Sequence, residues 1–189
     1  LLYVGSWAAG VNVFDPVTKS FTPITSTHES GKRLLNSAVS GIHRKSDHEM
    51  WITSLLGLAV YDSKLKDVTW YKFNSNVENK FYGIDVIDDN NRIWLTTIVG
   101  LQYFDPVMQQ FSRYSFRHLT GGEWAFAFYI IADKTGNNVT VCPRATDGLL
   151  NFNRTDNQWT KYPFPPGKTF KAEKDAIRGF ARLPSGDFI

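Results

Sequence analysis

The chain has 189 residues, enough for a domain that buries about 70% of the surface its unfolded form exposes. Its 21 basic and 18 acidic residues are dispersed, and a net charge of +3 is too weak and scattered to make a nucleic-acid footprint. The composition is 42% hydrophobic and 15% aromatic, which favours strands, and the single Cys142 excludes an internal disulfide and reads as a buried, inert thiol.

Residues 1–25 begin within what reads as a strand, with no basic leader ahead of a long apolar run and so no visible signal peptide. They read as three short strands marked by Gly10, Phe14, Asp15, Phe21 and Ile24. From residue 38 the same marks return behind a further strand: Gly57, Tyr61, Asp62, Val68 and Tyr71, on strands near 38–44, 49–55, 57–62 and 67–73. A third set follows over 81–116 with Gly100, Phe104, Asp105, Phe111 and Tyr114, and a fourth over 126–164 with Gly148, Phe152, Asn153, Trp159 and Tyr162. The four glycines lie 47, 43 and 48 residues apart. Residues 177–189 supply one further first strand, with Ile177 and Phe180 in the columns of Val39 and Ile42, Phe81 and Ile84, and Ala127 and Ile130.

Between first and second strands stand "KSDHE", "DDNNR", "KTGNN" and "PSGD", rich in the residues that make tight hairpin turns. No capped segment of about 10 or more residues keeps a helical apolar period. The fold class is therefore all-β: β-propeller blades of four-stranded antiparallel meanders, three complete at 38–73, 81–116 and 126–164 and two partial at 1–25 and 177–189. The two partial ends could combine into one blade and close a four-bladed ring; because neither end resembles a natural terminus, the favoured expectation is one propeller fragment of a larger, seven-bladed ring. A fragment with open sheet edges implies association with other blades or with copies of itself, a homodimer being expected.

Within each unit the glycine opens the third strand, where a side chain is expected to collide with the neighbouring blade or to demand an unusual φ. The aromatic columns are expected to fill the wedge between sheets. The Asp column is expected to accept backbone N–H bonds in the turn to the fourth strand, a structural role that repeats because the turn repeats.

"EMWITSLLGLAVYDSKLKDVTWYKF" and "RIWLTTIVGLQYFDPVMQQFSRYSF" closely resemble the two-component regulator propeller repeat, and "YVGSWAAGVNVFDPVTKSFTPI" is similar to its variant with Trp in the loop before the Gly. The fourth unit departs most: Val141 replaces the Trp, Pro143 and Arg144 replace small residues, and one residue is inserted before Gly148. The resemblance implies a periplasmic sensor region of Bacteroidetes hybrid two-component receptors, which combine histidine kinase and response regulator and often detect oligosaccharides. Kinase activity and any membrane attachment would then belong to parts of the parent protein outside this stretch.

In an up-and-down blade, the connection from strand four to the next strand one emerges on the same side as the connection from strand two to strand three. That side carries the longer, more variable segments 26–37, 74–80, 117–125 and 165–176, with the loops 6–9, 54–56, 97–99 and 144–147. On it lie Trp7, His118, Glu123, Trp124, Arg144 and Asp147, whose aromatic faces, charges and polar groups suit a small-molecule or oligosaccharide ligand. His28, Glu29, Lys32 and Arg33 lie on the same side, and plainer readings stand beside the ligand one: Trp7 and Trp124 as packing anchors, Arg144 paired with Asp147, and Lys32 and Arg33 as solvated groups. No phosphate loop, nucleophile motif or metal-ligand cluster stands in the sequence, so no cofactor and no metal is expected; His43 and His48 fall in a strand and its hairpin. Two rival classes remain open: a propeller enzyme such as a lyase or glycoside hydrolase, for which Glu123 with His118 is the only pairing available, and a protein-binding scaffold.

Overall fold

Strands β1 (Leu2–Gly5), β2 (Val11–Asp15) and β3 (Ser20–Pro23) form a three-stranded antiparallel sheet, the first of four sheets in the computed structural model. The structure describes residues 1–24, 26, 29–35, 37–72, 80–86, 92–120, 126–143, 146–164, 181 and 183. The chain divides into two compact units, Leu1–Tyr82 and Gly83–Ile189.

Unit 1 continues from β3 into a short helix, α1 (Glu29–Leu35), and then a four-stranded meander of β4 (Val39–Arg44), β5 (Glu49–Ser54), β6 (Gly57–Asp62) and β7 (Asp67–Tyr71) in that spatial order. The strands expected at 38–44, 49–55, 57–62 and 67–73 are these four. The core of this unit joins Val11 and Ile24 of the first sheet region with Val39, Ile52, Ala59 and Tyr61 of the second. Leu34 reaches the same cluster from α1, a helix that the sequence reading left as a connection. Seven residues are too few to show an apolar period, so tertiary burial of Leu34 rather than intrinsic propensity holds this helix.

The unit boundary falls inside β8 (Phe81–Val86), which begins a second meander with β9 (Ile93–Thr97), β10 (Gly100–Asp105) and β11 (Gln110–Tyr114). A four-residue helix, α2 (Arg117–Thr120), follows. The last meander runs β12 (Ala127–Ala132), β13 (Asn138–Pro143), β14 (Gly148–Asn153) and β15 (Gln158–Pro163). Trp94, Leu101, Tyr103 and Phe116 from the second meander side bury against Ile130, Val141, Leu150 and Phe152 of the third, as the wedge reading expected. The partial blade read at 177–189 lies outside the described residues apart from Ala181 and Leu183. Among the described residues no helix is long and apolar enough to cross a membrane.

The repeated columns have direct causes. Residues four and eleven past each glycine are cross-strand partners: Phe14 with Phe21, Tyr61 with Val68, Phe104 with Phe111, and Phe152 with Trp159. Where both are aromatic, their ring centroids stand 4.9, 4.5 and 4.9 Å apart, within the range where aromatic pairs attract. The Asp column caps its turn as expected. Asp62 Oδ1 accepts the N–H groups of Lys64 and Leu65 (2.8 and 3.0 Å), Asp105 Oδ1 those of Val107 and Met108 (2.9 and 3.0 Å), and Asp15 Oδ1 that of Val17 (2.8 Å). These turn N–H bonds, led by Leu65 for Asp62 and by Val17 for Asp15, hold both carboxyls below the usual range.

The glycine expectation holds in φ, which is 63° at Gly10, 144° at Gly57 and 131° at Gly100, and needs correcting in what an added side chain would strike. An added Cβ would meet the fourth strand of the same sheet rather than a neighbouring blade: Tyr114 O at 2.8 Å for Gly100, and Tyr162 O at 2.2 Å for Gly148. The third and fourth strands start their pairing there, Gly148 opposite Pro163, so their backbones are at closest approach.

Candidate functional site

A cleft of about 480 Å³ opens in unit 2 beside β11 and β15. Its aromatic wall is continuous. Tyr114 lies 4.5 Å from Phe152 between ring centroids, Phe152 lies 4.9 Å from Trp159, and the fully buried Phe116 meets Trp159 edge-on at 5.3 Å. Trp94 supports it from the core, 5.5 Å from Tyr114 and 5.9 Å from Phe152. Of these lining rings Trp159 and Tyr114 stay half-buried, so each presents part of a face to solvent.

Polar groups enter from two directions. On one side the chain leaves β11 through Ser115, whose Oγ accepts the Arg117 N–H (3.4 Å), while the Leu119 N–H donates to Phe116 O (3.0 Å). Those bonds and the buried Phe116 ring fix α2, which brings His118 and Leu119 to the cleft. On the other side the β14–β15 turn brings Asn157 and Gln158. Asn153 Oδ1 accepts the Thr155 N–H (2.8 Å), Asp156 Oδ1 accepts the Gln158 N–H (3.0 Å), and Asn157 takes a left-handed φ of 59°. Asparagine tolerates that conformation better than most side chains.

Strand order alone assigns His118 and Asn157 to opposite ends of their blades. Sheet twist reunites them: about 20–25° per strand turns the fourth strand by roughly 60–75° relative to the first. The end of β11 therefore lies beside the start of β15, and the cleft runs along the fourth strands instead of across one loop face.

The six residues read from sequence fare differently. His118 lines the cleft, but Asp147 does not. Asp147 ion-pairs with Lys161, whose ammonium holds its carboxyl below the usual range, and so has a partner other than the expected Arg144. Glu123, Trp124 and Arg144 lie outside the described residues. Trp7, in unit 1, is 60% exposed. Its loop is nevertheless tightly held: Ser6 Oγ accepts the Ala9 N–H (2.9 Å), the Ser6 N–H donates to Gly10 O (2.9 Å), and the Val39 N–H donates to Ser6 O (3.0 Å).

Two recurring features escaped the sequence reading. A hydroxyl stands shortly before each glycine and donates to its carbonyl: Ser54 to Gly57 O (3.3 Å), Thr97 to Gly100 O (3.2 Å) and Thr146 to Gly148 O (2.9 Å), with Ser6 to Gly10 O (3.3 Å) closing the Trp7 loop. Nine residues past each glycine stand Lys19, Lys66, Gln109 and Asn157, all left-handed, with φ between 51° and 59°. Both columns are visible once the glycine register is drawn. Among the described residues no group of three or more His, Cys, Asp or Glu is placed to hold a metal. Cys142 is buried, and that burial pushes its thiol up to about 11.

No family model and no curated protein matches this sequence. Solved structures match in fold. The chain is similar to the extracellular domain of a putative hybrid two-component system from B. thetaiotaomicron, with 16% identity and a TM-score of 0.68, over 98% of this chain and 23% of that one. It is similar also to the extracellular domain of a putative one-component system from B. thetaiotaomicron, with 17% identity and a TM-score of 0.73, again over 98% of this chain and 23% of that one. Virginiamycin B lyase from Staphylococcus aureus shares the fold at 13% identity and a TM-score of 0.67, over 96% of this chain and 55% of the enzyme. The chain thus spans about a quarter of the first two structures, and its blades share the fold of these extracellular domains, in agreement with the fold that the repeat implied.

Proposed function

We propose that this chain is part of a periplasmic sensor propeller, of seven blades when complete, in a hybrid two-component receptor, and that it recognises an oligosaccharide for a kinase outside this stretch. One observation carries the ligand reading: the unit 2 cleft sets the partly exposed faces of Tyr114 and Trp159 beside His118, Asn157 and Gln158. A pyranose has an apolar C–H face ringed by hydroxyls, and this combination of ring faces with a few polar groups matches it. Its volume, about 480 Å³, falls within the range of small-molecule sites. Trp7 is a second stacking surface in this reading, and Glu123, Trp124, Arg144 and Asp147 are further ligand candidates on the connections between strands. Association with other blades or a second copy completes the open sheets.

The fold shared with virginiamycin B lyase gives an enzyme reading a specific footing. Incubation with an oligosaccharide panel, with binding measured by calorimetry and products by chromatography, separates the two. Binding without product, lost in Trp159→Ala, supports the sensor. Product formation overturns it in favour of an enzyme, and neither binding nor product overturns it in favour of a protein-binding scaffold.

A further inference from the structure

We infer that the unit 2 cleft is divided into two sugar subsites, one on Tyr114 and one on Trp159, and is matched in length to a disaccharide; this rests on the sugar-binding reading above. The two rings reach the cleft on different strands, Tyr114 at the end of β11 and Trp159 on β15. Phe152 joins them into one row: its ring centroid is 4.5 Å from that of Tyr114 and 4.9 Å from that of Trp159, with the planes tilted by 38° and 47°. Phe152 itself is 1% exposed and offers no face to a ligand. Two partly exposed rings on one wall, with a buried ring between them, present their faces side by side. A pyranose stacked on one therefore leaves the other open.

Each ring also comes with its own polar groups and its own support. Ser115 and His118 follow Tyr114 along the chain, Asn157 and Gln158 precede Trp159, and all four line the cleft. The fully buried Trp94 backs Tyr114 at 5.5 Å, and the fully buried Phe116 meets Trp159 at 5.3 Å. Both platforms are thus fixed before a ligand arrives, which removes an ordering cost from binding. A ring face with two hydrogen-bonding side chains is what one pyranose unit needs, since it carries an apolar C–H face with hydroxyls at the rim. The size agrees: about 480 Å³ lies within the roughly 300–1,000 Å³ of sites for drug-sized ligands, and a disaccharide is such a ligand whereas a monosaccharide is about half of one. A third unit reaches past both rings and gains little.

The test is titration calorimetry of the full chain across the oligosaccharide panel, ordered by length within each series: glucose, cellobiose and cellotriose; xylose, xylobiose and xylotriose; galactose, galactobiose and galactotriose. Tyr114→Leu and Trp159→Leu, which keep apolar volume but remove a ring face, are measured beside the parent once circular dichroism shows them folded. In a series that binds, the disaccharide is expected to bind at least about tenfold tighter than the monosaccharide, and the trisaccharide less than about threefold tighter again. Each variant should lose most of the disaccharide's advantage. Equal affinity for mono- and disaccharide, or a trisaccharide gain as large as the disaccharide's, overturns the inference from the parent protein alone and leaves the sugar reading standing. A disaccharide advantage untouched in either folded variant overturns it as well. Binding in no series removes the sugar reading and this inference with it.

Discussion

Alanine at the repeated glycine separates two costs that the three full blades distribute differently. At Gly57 φ is +144° and the atoms nearest an added Cβ lie 3.4 Å away, so the backbone conformation alone is penalised, by about 1–3 kcal/mol. At Gly148 the φ lies outside the left-handed region, but the Cβ would stand 2.2 Å from Tyr162 O and 2.9 Å from Pro163 Cα, both backbone atoms that cannot swing aside. Relieving that overlap requires β15 to retreat by roughly 1 Å, a strain of the overpacking kind worth about 1–3 kcal/mol. The retreat also stretches the 2.7 Å bond from the Phe164 N–H to Asp147 O, which contributes about 1 kcal/mol. Gly100 combines a φ of +131° with a Cβ only 2.8 Å from Tyr114 O. The expected losses are therefore about 2 kcal/mol for Gly57→Ala, about 3 for Gly148→Ala and about 4 for Gly100→Ala. Urea unfolding followed by far-ultraviolet circular dichroism measures them, with the slope checked for constancy. A Gly148→Ala protein within about 0.5 kcal/mol of the parent would refute the close-approach argument. Equal losses at Gly57 and Gly100 would refute the separation of the two costs.

The left-handed lysine Lys66 is strained by roughly 1–2 kcal/mol, of which glycine's greater unfolded freedom returns roughly 0.5–1, so Lys66→Gly is expected to gain about 0.5–1 kcal/mol and raise the melting temperature by about 1–4 °C. Asn157→Gly, starting from a tolerant residue, should gain less in the same melts. Asp133 in the β12–β13 turn accepts bonds from the N–H groups of Thr135, Asn137 and Asn138 at 3.1, 3.0 and 3.1 Å, and from the Asn138 amide at 2.9 Å. Burial alone would raise its carboxyl, but these bonds outweigh it and hold the carboxyl below the ordinary 3.8. A lowered folded value means that the unfolded chain takes up the proton first. The contribution is complete above about pH 5 and fades as pH falls through the ordinary 3.8 and below, so Asp133→Asn should flatten the urea-midpoint profile from pH 5 downwards. With its thiol at about 11, Cys142 is only about one part in a thousand thiolate at pH 8, so a disulfide reagent should label it on unfolding and not before; rapid native labelling would contradict its burial.

Much of the fold was legible because its determinants are local. The Asp column and its turn involve residues within three positions of one another, and the strand alternation between turns needs no knowledge of distant partners. The aromatic columns four and eleven past the glycine were legible as a repeat, and the four-residue turn between their strands places them opposite each other. The two short helices were missed for the complementary reason: α1 is held by Leu34 in a core made of two sheets, and α2 by Phe116 against Trp159.

For the site, the sequence by itself singled out His118 and Trp7 as non-repeating groups on connections, and it marked Tyr114 and Trp159 only as packing columns. Tertiary structure decided that these two rings line a cleft with His118, that Trp7 is exposed, and that Asp147 answers Lys161. It also decided that the recurring glycine makes room for its own fourth strand. A repeat register determines which residues are equivalent, and that much is written along the chain. Which of them meet depends on how far each sheet twists before the next one packs, a sum over many strands that no short stretch contains.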